Sequence, residues 1–227
     1  MNIAVVGLGF VGLSISSVLA SKNYNVVGID IDNQKCSDIH NGVLPLFEPD
    51  LENTLKIGLK KKLAISNNFS LINNCDMIFV SVGTPQKSNG AIELSMIKKA
   101  TTTIGQIIRK SKKNPTVFIK STVVPGTTQD VILPILEKTS GKKANIDFGL
   151  ISNPEFLQES NAIRDTKYPH AIILGGKQTK YMKKAKMFFS KMHPNVPIVI
   201  TNFQTAEMIK YANNSFLATK ISFINQL

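Results

Sequence analysis

The chain has 227 residues, of which 43% are hydrophobic, so it can bury the core of one large domain with an appended segment. Its 27 basic and 15 acidic residues give a net charge of +12, but no nucleic-acid motif and no interleaved aromatic residues accompany this charge, so we predict no nucleic-acid partner. Cys36 and Cys75 lack disulfide-framework and metal-ligand spacing. We therefore predict no metal site and a reducing compartment.

The first 32 residues, MNIAVVGLGFVGLSISSVLASKNYNVVGIDID, combine a strand, a glycine-rich turn, a helix and a second strand. Gly7 permits the tight turn, Gly9 lets the backbone approach a pyrophosphate, and Gly12 lets the helix pack closely on the strand. Asp30 ends the second strand, where its carboxylate can accept both ribose hydroxyls and would repel a 2′-phosphate. The pattern predicts a dinucleotide site that prefers NAD to NADP.

The segment Ile3–Ala20 contains no charged residue and could pass for a signal peptide or a membrane span. No basic region precedes it, however, and glycines and serines interrupt its apolar run. We therefore expect no membrane association and a cytoplasmic location.

Strands and helices alternate beyond Asp32, which predicts an α/β fold with a doubly wound, mostly parallel sheet of the Rossmann type. Residues 44–50 and 153–165 are predicted to be loops. The predicted strands are 3–6, 25–29, 63–66, 77–82, 116–122, 148–152, 171–176 and 196–200, and the later helices are 33–40, 51–59, 94–110, 127–138 and 180–192.

The last predicted helix, residues 206–227, contains no Pro or Gly and has an apolar stripe along one face. It shows no capping signal at its end. We interpret residues 1–201 as a dinucleotide-binding domain and 202–227 as the truncated start of a long central helix.

Ligands of open α/β sheets bind beyond the carboxyl ends of the strands, so the segments at 83–85, 121–128 and 153–159 are candidate site segments. At this point the sequence resembles the UDP-glucose and GDP-mannose dehydrogenases, which are nucleotide-sugar 6-dehydrogenases. The resemblance extends over the whole chain. It is carried by GLGFVG, GIDID with Lys35, NGVLPLFEPDL, VGTP, STVVPGTT, NPEFLQE and TAEMIKYANNSFLATKISFIN.

The resemblance implies NAD as cofactor and assigns roles to individual residues. The implied cofactor contacts, besides Gly7, Gly9 and Gly12, are Val11, Asp30, Lys35, Thr84 and Thr122, with Glu159 near the nicotinamide. The implied sugar contacts are Glu155, Phe156, Leu157, Gln158 and Glu159, with Lys210 and Asn214 facing C6; Thr122, Glu155, Glu159, Lys210 and Asn214 form the implied catalytic set.

These roles suit the side chains. Lys210 and Asn214 are spaced i, i+4, so both donors lie on one helical face that could stabilise an alkoxide or a tetrahedral oxyanion. Glu159 with Thr122 could organise a water molecule and accept its proton.

The family oxidises a C6 alcohol to a carboxylate by two successive hydride transfers to NAD, with a cysteine capturing the aldehyde between them. The resemblance favours UDP-glucose as substrate, because NPEFL is typical of the UDP-glucose and GDP-mannose branch, and it implies a homodimer through the central helix. Two features depart from the family: Ala171 stands where many members have Arg, and the later Gly-rich cysteine motif is absent.

Two alternatives remain open. A hydroxyacid dehydrogenase would also combine a Rossmann domain with a KxxxN helix, and a non-enzymatic NAD-binding module could use its exposed helix to dock on a partner. Reading the coding DNA beyond Leu227 separates an interrupted enzyme from a short module.

Overall fold

The structure, a computed structural model, describes residues 1–45 and 47–227; Leu46, within the NGVLPLFEPDL motif, lies outside the described residues. The strands are β1 Asn2–Val6, β2 Asn25–Ile29, β3 Leu63–Ser66, β4 Met77–Val80, β5 Thr116–Ile119, β6 Gly149–Ser152, β7 Ile172–Gly175 and β8 Ile198–Thr201. The helices are α1 Phe10–Ser21, α2 Asn33–His40, α3 Leu51–Lys61, α4 Ser95–Lys110, α5 Leu133–Ser140, α6 Ala162–Lys167, α7 Lys180–Met192 and α8 Phe203–Asn225.

The strands form one sheet in the order β3-β2-β1-β4-β5-β6-β7-β8. The first six run parallel; β7 joins β6 by the antiparallel pair Ser152–Gly175, and β8 runs parallel to β7. The predicted α/β fold with a mostly parallel, doubly wound sheet is confirmed.

Helices cover both faces of the sheet, so the central strands are almost entirely buried. In β1, Ile3 and Val5 belong to a core with residues of α1, α3 and α7, whereas Ala4 and Val6 belong to a second core with residues of α4 and α5. β4, β5 and β6 are buried along their whole length, as parallel strands covered on both faces are.

Three segments differ from the prediction. The helix predicted at 127–138 is a π-helical turn, Thr128–Ile132, followed by α5, because Pro134 has no N–H to continue an α-helical ladder through this segment. The loop predicted at 153–165 contains the start of the short helix α6. The last helix starts earlier than predicted, at Phe203, because the Asn202 side chain accepts a hydrogen bond from the Thr205 N–H (2.7 Å).

Only the first turns of α8 pack on the domain. Phe203, Ala206, Glu207 and Lys210 are its buried residues, and they follow the i, i+3, i+4, i+7 spacing of one helical face. All residues from 212 to 227 are exposed.

Candidate functional site

A cleft of about 820 Å³ lies at the carboxyl ends of β1, β2, β4 and β5, where the strand order changes direction between β1 and β4. This is the position at which open α/β sheets bind their ligands. The cleft is lined by most of the predicted cofactor residues, namely Gly7, Gly9, Val11, Asp30, Lys35, Thr84 and Thr122. Glu155 also lines it.

The three glycines of GLGFVG have different surroundings. Gly7 has a φ of +92°, and a Cβ there would lie 2.9 Å from the backbone of Ser81 and Val82. A Cβ on Gly12 would lie 1.8 Å from the Gly7 carbonyl oxygen. Gly9, by contrast, has no atom within 4 Å of its Cβ position. The fold itself therefore requires Gly7 and Gly12, whereas Gly9 keeps open space in front of α1.

The residues at this end of the cleft fit a dinucleotide. Gly9 is the N-cap of α1, and the first turn has neither a capping side chain nor an acidic residue. The first N–H groups of a helix have no intrahelical partner, and their positive dipole end attracts phosphate. NAD would supply hydride-accepting chemistry here, and its pyrophosphate would be held by these N–H groups.

Asp30 is anchored at the end of β2 and is 7% exposed. Its Oδ2 accepts hydrogen bonds from the Leu8 N–H (2.8 Å) and from Lys35 Nζ (3.1 Å), while its Oδ1 accepts one from the Asp32 N–H (3.1 Å). A carboxylate offers about four acceptor positions, so Asp30 keeps acceptor capacity for a ribose hydroxyl.

The loops after β4 and β5 are tied together at the floor of the cleft. The Thr84 hydroxyl donates to the Thr122 carbonyl (2.6 Å), and the Ser121 hydroxyl donates to the Val82 carbonyl (2.7 Å). These bonds fix the two predicted threonines relative to each other.

The structure pairs Lys210 with Glu155. Lys210 Nζ lies 2.9 Å from Glu155 Oε1, and both side chains are nearly buried, at 7% and 11% exposure. The ammonium also lies 5.4 Å from the centre of the Phe156 ring, and Glu155 Oε2 accepts from the Leu157 N–H (2.5 Å). Glu155 lines both the cleft and a second cavity, whereas Lys210 lines neither and reaches this region only through its ion pair with Glu155.

The other predicted sugar residues are not all gathered with this pair. Glu159, Gln158 and Asn214 are exposed, and Glu159 lines neither cavity. Phe156 and Leu157 line a second, smaller cavity of about 90 Å³, which we call the rear cavity. The roles of all these residues remain predictions.

Lys120, the first residue after β5, is not among the residues predicted from the sequence. Its side chain lines both the cleft and the rear cavity, and its Nζ donates to Asn153 Oδ1 (3.3 Å). Burial lowers the pKa of Lys120 to about 8, with Lys210 lowering it further and Glu155 opposing the shift. A lysine directly after the apolar run VFI of β5 was the available signal.

Two buried carboxylates that the sequence does not predict, Glu48 and Glu207, hold the site loops. Glu48 accepts from the N–H groups of Ser160 (3.0 Å) and Ala162 (2.7 Å), which fixes the loop after β6 at the start of α6. Glu207 accepts from the N–H groups of Gly126 (2.6 Å) and Thr128 (2.8 Å), which ties α8 to the loop after β5. Burial raises the pKa of Glu207.

Cys36 and Cys75 are both free and buried, and burial raises the pKa of each thiol, to about 11 for Cys75. Neither lines the cleft. Within residues 1–45 and 47–227, no three His, Cys, Asp or Glu side chains come together as a metal site would require. No helix in these ranges combines the length and apolar character needed to cross a membrane.

Comparison with known proteins agrees with this geometry. Residues 1–193 match the NAD binding domain of the UDP-glucose/GDP-mannose dehydrogenase family, and residues 204–227 match its central domain. GDP-mannose 6-dehydrogenase of Pseudomonas syringae pv. tomato is 39% identical over the whole chain, which covers 52% of that protein. UDP-glucose 6-dehydrogenase AglM of Haloferax volcanii is 36% identical over the whole chain, which covers 54% of that protein.

A solved structure shows the same fold. A crystal structure of a ternary complex of GDP-mannose dehydrogenase from Pseudomonas aeruginosa superposes with a TM-score of 0.93 at 36% identity, over 99% of this chain and 52% of that one. The chain thus spans about half the length of the curated relatives it matches. With its matched cofactor domain confirming the prediction of NAD, the chain belongs to the UDP-glucose/GDP-mannose dehydrogenase family and carries that family's NAD-binding domain.

Proposed function

We propose that this chain supplies the NAD site and part of the sugar site of an enzyme that oxidises the C6 hydroxyl of a nucleotide sugar to a carboxylate. The observation that carries the proposal is the nearly buried ion pair of Lys210 with Glu155, the carboxylate that lines the cofactor cleft. A desolvated ammonium stabilises a developing alkoxide far better than an exposed one does. The domain division at residue 201 is part of this proposal, and the two family matches support it.

Individual residues of the chain would have separate roles in hydride transfer and in hydrolysis. Lys210 hydrogen-bonds the C6 oxygen and stabilises its negative charge while the C6 hydrogen leaves as hydride, and Asn214 assists from the next helical turn. Thr122 and Glu159 position a water molecule. A glutamate at 155 or 159 accepts the proton of this water when it hydrolyses the thioester formed by the second hydride transfer. The two hydride transfers and the addition of one water together convert the alcohol to the carboxylate.

UDP-glucose is the substrate that the sequence motifs favour. GDP-mannose is a second candidate, since several relatives that are 36–39% identical are named GDP-mannose 6-dehydrogenases. The base pocket that would distinguish uridine from guanosine lies, by family resemblance, outside these residues.

The exposed half of α8 supports a homodimer. Phe216, Ile221, Phe223 and Ile224 are 59–69% exposed, and burying them against a second copy would remove a large apolar surface from water. The free cysteines support a cytoplasmic location. Sedimentation velocity of the chain tests the dimer: a monomer at micromolar concentration would contradict it.

Two measurements test the proposed activity. The chain alone should bind NADH, detected by its fluorescence, and should give no steady NADH production with either nucleotide sugar, because neither cysteine is placed to capture an aldehyde. If the coding DNA continues into a Gly-rich cysteine motif, the longer polypeptide should form two NADH per sugar. Activity on a simple 3-hydroxy acid but on neither sugar would instead support a hydroxyacid dehydrogenase, and a stop codon after Leu227 would support the NAD-binding module.

A further inference from the structure

Lys120 places a positive charge at the cleft that no carboxylate neutralises directly. Among the ion pairs of the described residues, none includes Lys120, and its hydrogen-bond partner, Asn153, is neutral. Glu155, which acts electrostatically on Lys120, is itself paired with Lys210 at 2.9 Å. Below its pKa, Lys120 therefore leaves this end of the cleft with an excess positive charge.

The sheet order places this charge away from the adenosine end of the cleft. Asp30 follows β2, and Gly9 follows β1, whereas Lys120 follows β5, beyond β4 in the sheet. A dinucleotide with its ribose at Asp30 and its pyrophosphate at the start of α1 must direct its other half toward β4 and β5. That half is the nicotinamide.

We propose that Lys120 tunes the bound cofactor, its ammonium disfavouring the cationic oxidised nicotinamide ring relative to the neutral reduced ring. When the ring accepts a hydride from the donor carbon, two electrons and one hydrogen enter it, and its charge falls from +1 to zero. The repulsion between Lys120 and the ring then disappears, so the site binds NADH more tightly than NAD. The ratio of the two dissociation constants is also the factor by which binding shifts the equilibrium toward reduction of the cofactor, so bound NAD is a stronger oxidant than free NAD. This inference rests on the proposed function and identifies a residue that would drive its hydride transfers.

The charge responds to pH. The pKa of Lys120 is about 8, so the ammonium is mostly present at pH 7 and mostly lost at pH 9. The charged or titratable groups around it are Glu155 in the loop after β6, Lys210 on α8 and, across the rear cavity, Asp165, His170 and His193. Burial lowers the pKa of His193 to about 4, so His193 stays neutral over this range.

The test measures dissociation constants of the chain for NADH, by fluorescence, and for NAD, by displacement. At about pH 7 and about pH 9, one unit either side of the pKa, the ratio of the NAD constant to the NADH constant should fall about fivefold with rising pH. A fivefold change corresponds to about 20 mV in the two-electron potential of the bound cofactor.

Three variants isolate the charge. Lys120→Met should give the low ratio at both pH values, and Lys120→Arg, which stays charged, should keep the high ratio at both. Lys99→Met removes another lysine of the cleft, an exposed residue of α4. It should change the NAD and NADH dissociation constants by a similar factor and leave their ratio unaltered. Thermal unfolding of each variant checks folding, and if Lys120→Met fails to fold, the Arg variant still decides the question.

An unaltered ratio and pH response in Lys120→Met, or a pH-dependent ratio in Lys120→Arg, would overturn the proposal. If the unaltered chain bound neither form of the cofactor, the cofactor site itself would be overturned and this inference with it. Normal binding with a pH-independent ratio near one would refute the role of Lys120 alone and leave the proposed function standing.

Discussion

Removing the carboxylate of Glu207 should weaken the attachment of α8 to the domain. Glu207 is 2% exposed and accepts hydrogen bonds from two backbone N–H groups, at 2.6 Å from Gly126 and 2.8 Å from Thr128. In Glu207→Ala both N–H groups lose their acceptor, in a site from which water is largely excluded.

The size of the effect follows from these bonds. A hydrogen bond to a charged group contributes about 1.5–3 kcal/mol, so the two together predict a loss of about 3–6 kcal/mol in the free energy of unfolding. For a domain of this size that loss lowers the unfolding midpoint by about 10 °C. Glu207→Gln keeps one acceptor oxygen but turns an NH₂ group toward the second N–H, so it should lose about 1–3 kcal/mol.

Thermal unfolding followed by circular dichroism measures the loss, and amide hydrogen exchange localises it. Exchange at Gly126 and Thr128 should accelerate more than exchange in the central strands. Glu52→Ala is the matched control: it removes an exposed glutamate from the first turn of α3, whose partner is the exposed Lys56, and should leave the midpoint unchanged. A Glu207→Ala chain with an unchanged midpoint and unchanged protection of both amides would refute the reasoning.

Three further predictions concern the cleft and the acid stability. Gly12→Ala should destabilise the chain by about 3 kcal/mol, because its Cβ would meet the Gly7 carbonyl oxygen at 1.8 Å, whereas Gly9→Ala should keep the unfolding midpoint and weaken NADH binding; equal midpoints for the two would contradict this. Asp30→Ala should weaken NADH binding about tenfold and narrow the preference over NADPH, as measured by fluorescence titration, and an unchanged preference would argue against a ribose contact. The pKa of His193 is about 4 in the folded chain and 6.5 in the unfolded chain, so the unfolded chain binds this proton first and the free energy of unfolding should fall as the pH drops from 6.5 to 4. In denaturant titrations, the free energy of unfolding of His193→Asn should fall less steeply over this pH range. The same pH dependence in the variant and the unaltered chain would contradict this prediction.

Features that depend on neighbouring residues could be predicted from the sequence. The positive φ of Gly7, the close packing of Gly12 and the position of Asp30 at the end of β2 all follow from the order of residues in the first 32 positions. Most of the strands were also predicted, because runs such as MIFV are apolar at every position and bounded by polar residues.

Contacts between distant segments could not be predicted in the same way. Glu48 meets residues more than 110 positions away, and Glu207 meets residues about 80 positions away, so no spacing rule connects these partners. The i, i+4 spacing of Lys210 and Asn214 indicates that they share one helical face, but it does not indicate which turns of the helix pack on the domain. The burial of α8 ends after Lys210, which leaves Asn214 exposed, and Lys210 pairs with Glu155 from another loop.

The buried face of α8 also fixes the rotational position of its side chains relative to the two site loops. Glu207 and Lys210 are three residues apart, and each must point at a different loop, after β5 and after β6 respectively. Inserting one residue between them would rotate Lys210 by about 100° and advance it by about 1.5 Å, which separates it from Glu155. The same insertion after Asn214 would disturb neither contact. The spacing of residues in α8 is therefore constrained only between Glu207 and Lys210, within a single helical turn. Insertions and deletions in this helix should be confined to its exposed half.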